Sequence, residues 1–154
     1  MKINSRLFGE IELGEDKLLY FESGLMGFEE YHNFALIFDS EKEHKGGIMW
    51  LQSMDEAELA FPVVDPLSLL SDYNPIVEDE WLAPIGDYKD SNDLYVLAVL
   101  TVPSDLTKMT ANLKAPLIIN TDTKKGVQLI VNNDEYQVRF NVYEYVKKLK
   151  EVAE

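Results

Sequence analysis

Leu94-Tyr95-Val96-Leu97-Ala98-Val99-Leu100-Thr101-Val102 decides the fold class. It is nine residues of strand formers closed by Pro103, too short for a membrane span and too rich in β-branched and aromatic side chains for a helix. Working outward, every neighbouring apolar run is equally short and bounded by turn residues. Toward the C-terminus, Leu117-Ile118-Ile119-Asn120 and Gly126-Val127-Gln128-Leu129-Ile130-Val131 flank Thr121 to Lys125, which reads as a hairpin loop. Tyr136, Val138 and Phe140 then alternate.

Toward the N-terminus, Ala60 to Val64 reads as a strand stopped by Asp65-Pro66. Pro62 places it at an edge or bulge, because proline donates no ladder hydrogen bond. Ile48 to Ser53 and Phe34 to Phe38 are strands joined by a polar segment, and Lys17 to Phe21 is another. Lys2 to Phe8 and Glu10 to Leu13 alternate around Gly9. Inward-facing positions are expected at Phe8, Phe21, Leu36, Phe38, Trp50, Leu51, Val96, Ala98, Leu100, Ile118 and Leu129. After residue 140 the period lengthens: Val142, Val146, Leu149 and Val152 or Ala153 fall on one helical face, so a short C-terminal helix is expected over about 141–153. No repeat, low-complexity tract or linker divides the chain. The expectation is one all-β domain over 1–154, an antiparallel β-barrel-like fold with that helix appended.

Composition narrows function. The 154 residues hold no cysteine, which excludes disulfides, thiolate metal sites and a cysteine nucleophile. No apolar stretch approaches ~20 residues and the N-terminus carries no signal-like region, so the reading is a cytoplasmic protein without membrane contact. Asp and Glu total 28 against 14 Lys and Arg, a net charge of −14. A field of that sign repels phosphate backbones, which argues against direct nucleic-acid binding and suits a basic protein partner.

Catalytic machinery is not found. His32 and His44 stand alone without metal-ligand spacing. No phosphate loop, nucleophile elbow or calcium loop occurs. Gly24-Leu25-Met26-Gly27 lacks the lysine and following helix of an anion cradle. The densest carboxylates are Asp55, Glu56 and Glu58 and, further on, Glu78, Asp79 and Glu80. Both groups fall between strands, where side chains are free to meet a partner. No cofactor and no metal are expected, and the chain reads as a non-enzyme.

Four segments depart from generic strand sequence. Phe21-Glu22-Ser23-Gly24-Leu25-Met26-Gly27-Phe28 is the first. Trp50-Leu51-Gln52-Ser53, followed by Ala60-Phe61 and Asp65-Pro66, is the second. Met109-Thr110-Ala111-Asn112-Leu113-Lys114-Ala115-Pro116-Leu117-Ile118-Ile119-Asn120 is the third, and Gly126-Val127-Gln128 the fourth. In order and spacing, from about residue 2 to 140, they resemble the FliW family of flagellar assembly factors. The resemblance implies a small β-barrel that binds flagellin in the cytoplasm. When free of flagellin, such proteins bind and antagonise the RNA-binding translational regulator CsrA, relieving repression of flagellin translation. It implies no catalytic residue and no cofactor.

The motif residues themselves read as structural. Gly24 and Gly27 permit backbone angles closed to other residues, with Phe21 and Phe28 plugging the core. Asn112 bonds backbone in a turn and Pro116 ends the local structure. Gln52, Ser53, Thr110, Ala111, Leu113 and Asn120 complete the family pattern. From another class, a β-barrel holding a small metabolite in an apolar mouth is the alternative, and a hydrolase using a carboxylate pair is a third.

Overall fold

The computed structural model describes residues 2–5, 9–12, 18–38, 48–88 and 93–143. Eleven strands lie within them: β1 Lys2–Ser5, β2 Gly9–Glu12, β3 Leu18–Phe21, β4 Asn33–Phe38, β5 Ile48–Ser53, β6 Ala60–Val64, β7 Leu94–Thr101, β8 Thr110–Ala111, β9 Leu117–Asn120, β10 Lys125–Gln128 and β11 Phe140–Asn141. β1 and β2 form a separate hairpin. Strands β3 to β7 form an antiparallel meander. β7 then pairs with β9, β9 with β10, and β10 returns to β3. The result is a closed barrel of seven strands.

Closure explains the one departure from the expected antiparallel order. Around a ring with an odd number of strands, directions cannot alternate at every neighbour, so at least one pair must run parallel. That pair is β3 with β10, where Tyr20 faces Lys125 and Phe21 faces Gly126.

Alternation sorts the barrel's side chains. Leu19, Phe21, Phe34, Met49, Leu51, Val63, Leu97, Leu117 and Ile119 fill the interior together with Leu25, and Leu36, Phe61, Tyr95 and Val99 pack against them. The residues between them face outward. On β6, β7, β9 and β10 those outward residues are buried again. Val64, Ala98 and Leu100 lie under Tyr73, Met109, Leu113, Val131, Tyr136 and Val142. Ile118 and Val127 lie under Leu82 and Ile85 of a 3₁₀ helix, Asp79–Ile85.

This two-layer arrangement corrects several positions. Val96, Ala98, Leu100, Ile118 and Leu129 are packed in apolar clusters, but on the barrel's outer flank rather than inside it. β7 reads as continuously apolar because both of its faces are covered, as in a strand at the centre of a layered fold. Trp50 also faces outward, half-buried, since Met49 and Leu51 on either side of it point in. Tyr136 to Arg139 are irregular chain and a turn rather than a strand; Tyr136 is buried by its tertiary contacts, and only Phe140–Asn141 pairs. Phe8, the side chain of Phe38 and the expected C-terminal helix from residue 144 onward fall outside the described residues. Asn141, placed at the start of that helix, belongs to β11, and its Oδ1 accepts from the Tyr143 N–H.

Candidate partner-binding surface

Strand direction decides which loops meet. The ends of β3, β5, β7 and β10 and the starts of β4, β6 and β9 lie at one end of the barrel. That end gathers the 22–32 loop, the 54–59 loop and the connection from β7 to β9. Residues from all four unusual sequence segments contribute to it.

The first is the glycine loop. Gly24 has φ +67°, and a Cβ there would stand 2.7 Å from the Glu29 Cα. The chain therefore folds back tightly, with the Gly24 N–H donating to the Phe21 carbonyl and the Phe28 N–H to the Leu25 carbonyl. Leu25 drops into the barrel core, while Gln128 Oε1 at the end of β10 accepts from the Met26 N–H at 2.8 Å. Phe28 does not plug the core as expected. It is 37% exposed and stands edge-on to Phe61, ring centres 5.1 Å apart. Met26 beside it is 46% exposed.

The second is the β5–β6 turn. Gln52, fully buried, donates to the carbonyls of Ala57 and Leu59, and Ser53 Oγ accepts from the N–H groups of Asp55 and Glu56. Asp55 is itself occupied. Its carboxylate accepts from the backbone N–H groups of His32 and Asn33 and from the Asn33 side chain. Partial burial raises its pKa, but these donors outweigh it and hold the carboxyl below its ordinary value. Asp55 thus ties the two loops together and leaves Glu56 and Glu58 exposed at the rim.

The third is the Thr110 to Asn120 block, which lies along one edge of β7. Leu100 pairs with Ala111 and Leu97 with Leu117, so six steps of chain lie against three and three residues are extra. Asn112 Oδ1 accepts from the Lys114 and Ala115 N–H groups and shapes this bulge. Leu113, buried in the bulge, receives the Tyr73 hydroxyl on its carbonyl at 2.7 Å. Pro116 is buried and its carbonyl accepts from Leu129. At the far end of β9, buried Asn120 donates to the carbonyls of Ile85 and Asp87 and accepts from Asp122 and Thr123.

What remains at the mouth is an apolar concavity of about 470 Å³ floored by Leu25, Phe28, Phe61 and Val99, with Thr101, Asn112, Gln128 and Arg139 as its polar groups. Beside it, sharing Phe28, runs a smaller groove edged by Glu30, Glu56 and Glu58. The first acidic cluster therefore reaches this surface. Glu78, Asp79 and Glu80 do not: they are exposed at the start of the 3₁₀ helix on the barrel's outer flank. Glu30, Tyr31 and Val138, which is 58% exposed, were not singled out from the sequence; Met26 and Phe28 stood in the glycine-loop motif, but Phe28 was read there as a core plug and not as a surface residue. The signal was present in Gly27, whose φ of +88° turns the chain so that Phe28 emerges. Among the described residues no three His, Asp or Glu side chains stand together as a metal site, and no helix is long and apolar enough to cross a membrane.

The family model for FliW protein matches residues 2–142. A flagellar assembly factor FliW from Lachnospira eligens is 49% identical over 148 residues, 96% of this chain and 98% of that protein. The namesake from Thermotoga maritima is 39% identical, over 94% and 95% of the two chains. A crystal structure of the flagellar assembly factor FliW superposes with a TM-score of 0.82 at 29% identity, covering 92% of this chain and 96% of the other. Family model, sequence relatives and barrel agree over nearly the whole length, and the chain belongs to the FliW family of flagellar assembly factors.

Proposed function

We propose that this chain works in the cytoplasm as one protein-binding domain with two alternative partners. It binds flagellin, and when free of flagellin it binds the RNA-binding regulator CsrA and stops it repressing flagellin translation. The observation that carries the reading is the barrel mouth, where exposed Met26 and Phe28 lie beside Glu56 and Glu58. Exposed apolar anchors with a charged rim are the makings of a protein interface. The net charge of −14 suits a basic RNA-binding partner, and a body of that charge held against it drives RNA away.

Among the described residues the barrel's interior is occupied by apolar side chains, Phe21, Phe34, Leu51, Leu97 and Leu117 among them, which disfavours a metabolite inside it. The small-ligand alternative therefore has only the open mouth to use and is not carried forward. Capture of tagged protein from motile cells, followed by mass spectrometry of what co-purifies, tests the proposal. Flagellin and CsrA are expected, in fractions that exchange as flagellin is added. Recovery of neither would sink it.

A further inference from the structure

We propose that the groove between Phe28 and Glu58 holds an arginine side chain, presented by a protein partner next to an apolar residue that seats in the mouth. The inference rests on the protein-binding reading above and gives that surface a chemistry. The groove measures about 270 Å³, lined by Phe28, Tyr31, Leu59, Glu30, Glu56 and Glu58. That is below the ~300–1,000 Å³ of small-molecule pockets and suits one long side chain. Two aromatic rings and a leucine offer an apolar wall for an aliphatic stem, and Glu56 and Glu58 edge the groove for its head beside Glu30, which already accepts from the Tyr31 hydroxyl. No base is among the described lining residues.

The carboxylates are not gathered as a metal site would gather them. An organic cation is the better match, and the guanidinium is better than the ammonium. It stacks on aromatic faces and offers a planar fork of donors to more than one carboxylate, where lysine presents a point charge. The local field has the required sign: Glu30, by hydrogen bond and charge, then desolvation and last the charge of Glu56 push the Tyr31 hydroxyl above its ordinary pKa.

The groove is also held ready. Phe28 is braced by Phe61, and the turn bearing Glu56 and Glu58 is fixed by Ser53, Gln52 and the Asp55 link to His32 and Asn33. Phe28 lines both groove and mouth, so a residue beside the arginine falls over Leu25 and Phe61. Arg139 lines the mouth and repels a second cation there, which sets the direction in which the segment lies.

The probe is the tripeptide acetyl-Leu-Arg-Leu-amide, with citrulline in place of arginine as the uncharged isostere, followed by amide NMR shifts in the full chain. The arginine peptide is expected to move the amides of Gly27, Glu56 and Glu58, and the citrulline peptide to leave them in place. Glu56→Gln with Glu58→Gln should weaken the arginine peptide roughly tenfold, as two exposed charge pairs together allow. Glu78→Gln with Glu80→Gln changes net charge equally and should leave binding within about twofold. Equal shifts with citrulline, or equal loss in both double variants, would overturn the groove.

Titration of the same variants with flagellin and CsrA separates the two proposals. Wild-type binding that survives Glu56→Gln with Glu58→Gln removes the groove and leaves the assembly reading standing. Peptide shifts without binding of either protein remove the assembly reading and leave the groove.

Discussion

A methyl group added at Gly24 would lie 2.7 Å from the Glu29 backbone, whereas one added at Gly27 meets nothing within 4 Å. Both residues have positive φ, so alanine at either bears the left-handed penalty of ~1–2 kcal/mol. Gly24→Ala adds a clash with backbone and should lower stability by at least a further ~1 kcal/mol. Denaturant midpoints of the two variants are expected in that order. Asp55 gives a second residue-level test. Asp55→Asn removes a charged acceptor of several N–H bonds and should cost roughly 1–2 kcal/mol at neutral pH. Because the folded pKa lies below the unfolded one, this stabilisation is present above pH ~4 and is lost as pH falls through the folded value. The gap between wild type and variant should therefore close on acidification. Asp55 was legible as part of an acidic cluster, but its structural task was not: its donors, His32 and Asn33, are distant in sequence and are brought near by the β4–β5 pairing.

Strands were the most legible elements. β5, β6 and β9 occupy the residues that their patterning predicts, and β7 ends one residue short of it. Period-2 alternation marks a half-buried strand, and turn residues mark its ends. What alternation cannot report is a second covering layer, because burial on both faces erases the pattern. The outer-flank positions of Ala98 and Ile118 were hidden for that reason. The 3₁₀ helix Asp79–Ile85 escaped notice because it carries only two buried residues and an internal Pro84, too little for a periodic signal. The three-residue bulge after β8 was visible as a motif but not as a shape. Leu113→Ala, at a side chain 1% exposed, should cost about 2–5 kcal/mol. Asn112→Ala should cost about 1 kcal/mol by releasing two N–H groups. Thermal denaturation of the pair checks whether the leucine or the turn bears more of the bulge.

At the scale of the molecule, 28 acids against 14 bases act before contact. Association with a basic partner should slow as salt rises, since exposed charges are screened beyond ~10 Å at 0.1 M, while dissociation changes little. Stopped-flow mixing across a salt series measures both; a salt-independent on-rate would assign the charge to solubility alone. The parallel seam has a different consequence, one in time. Strands β3 to β6 are neighbours in sequence and can assemble while the chain is still being synthesised. β10 completes the ring by joining Gly126 to Phe21, and Gln128 then secures Met26 at the mouth. Neither step is possible until residues 126 to 128 have left the ribosome. A nascent chain halted before Gly126 would present open strand edges and an unformed mouth, so partner capture must wait until β10 has emerged.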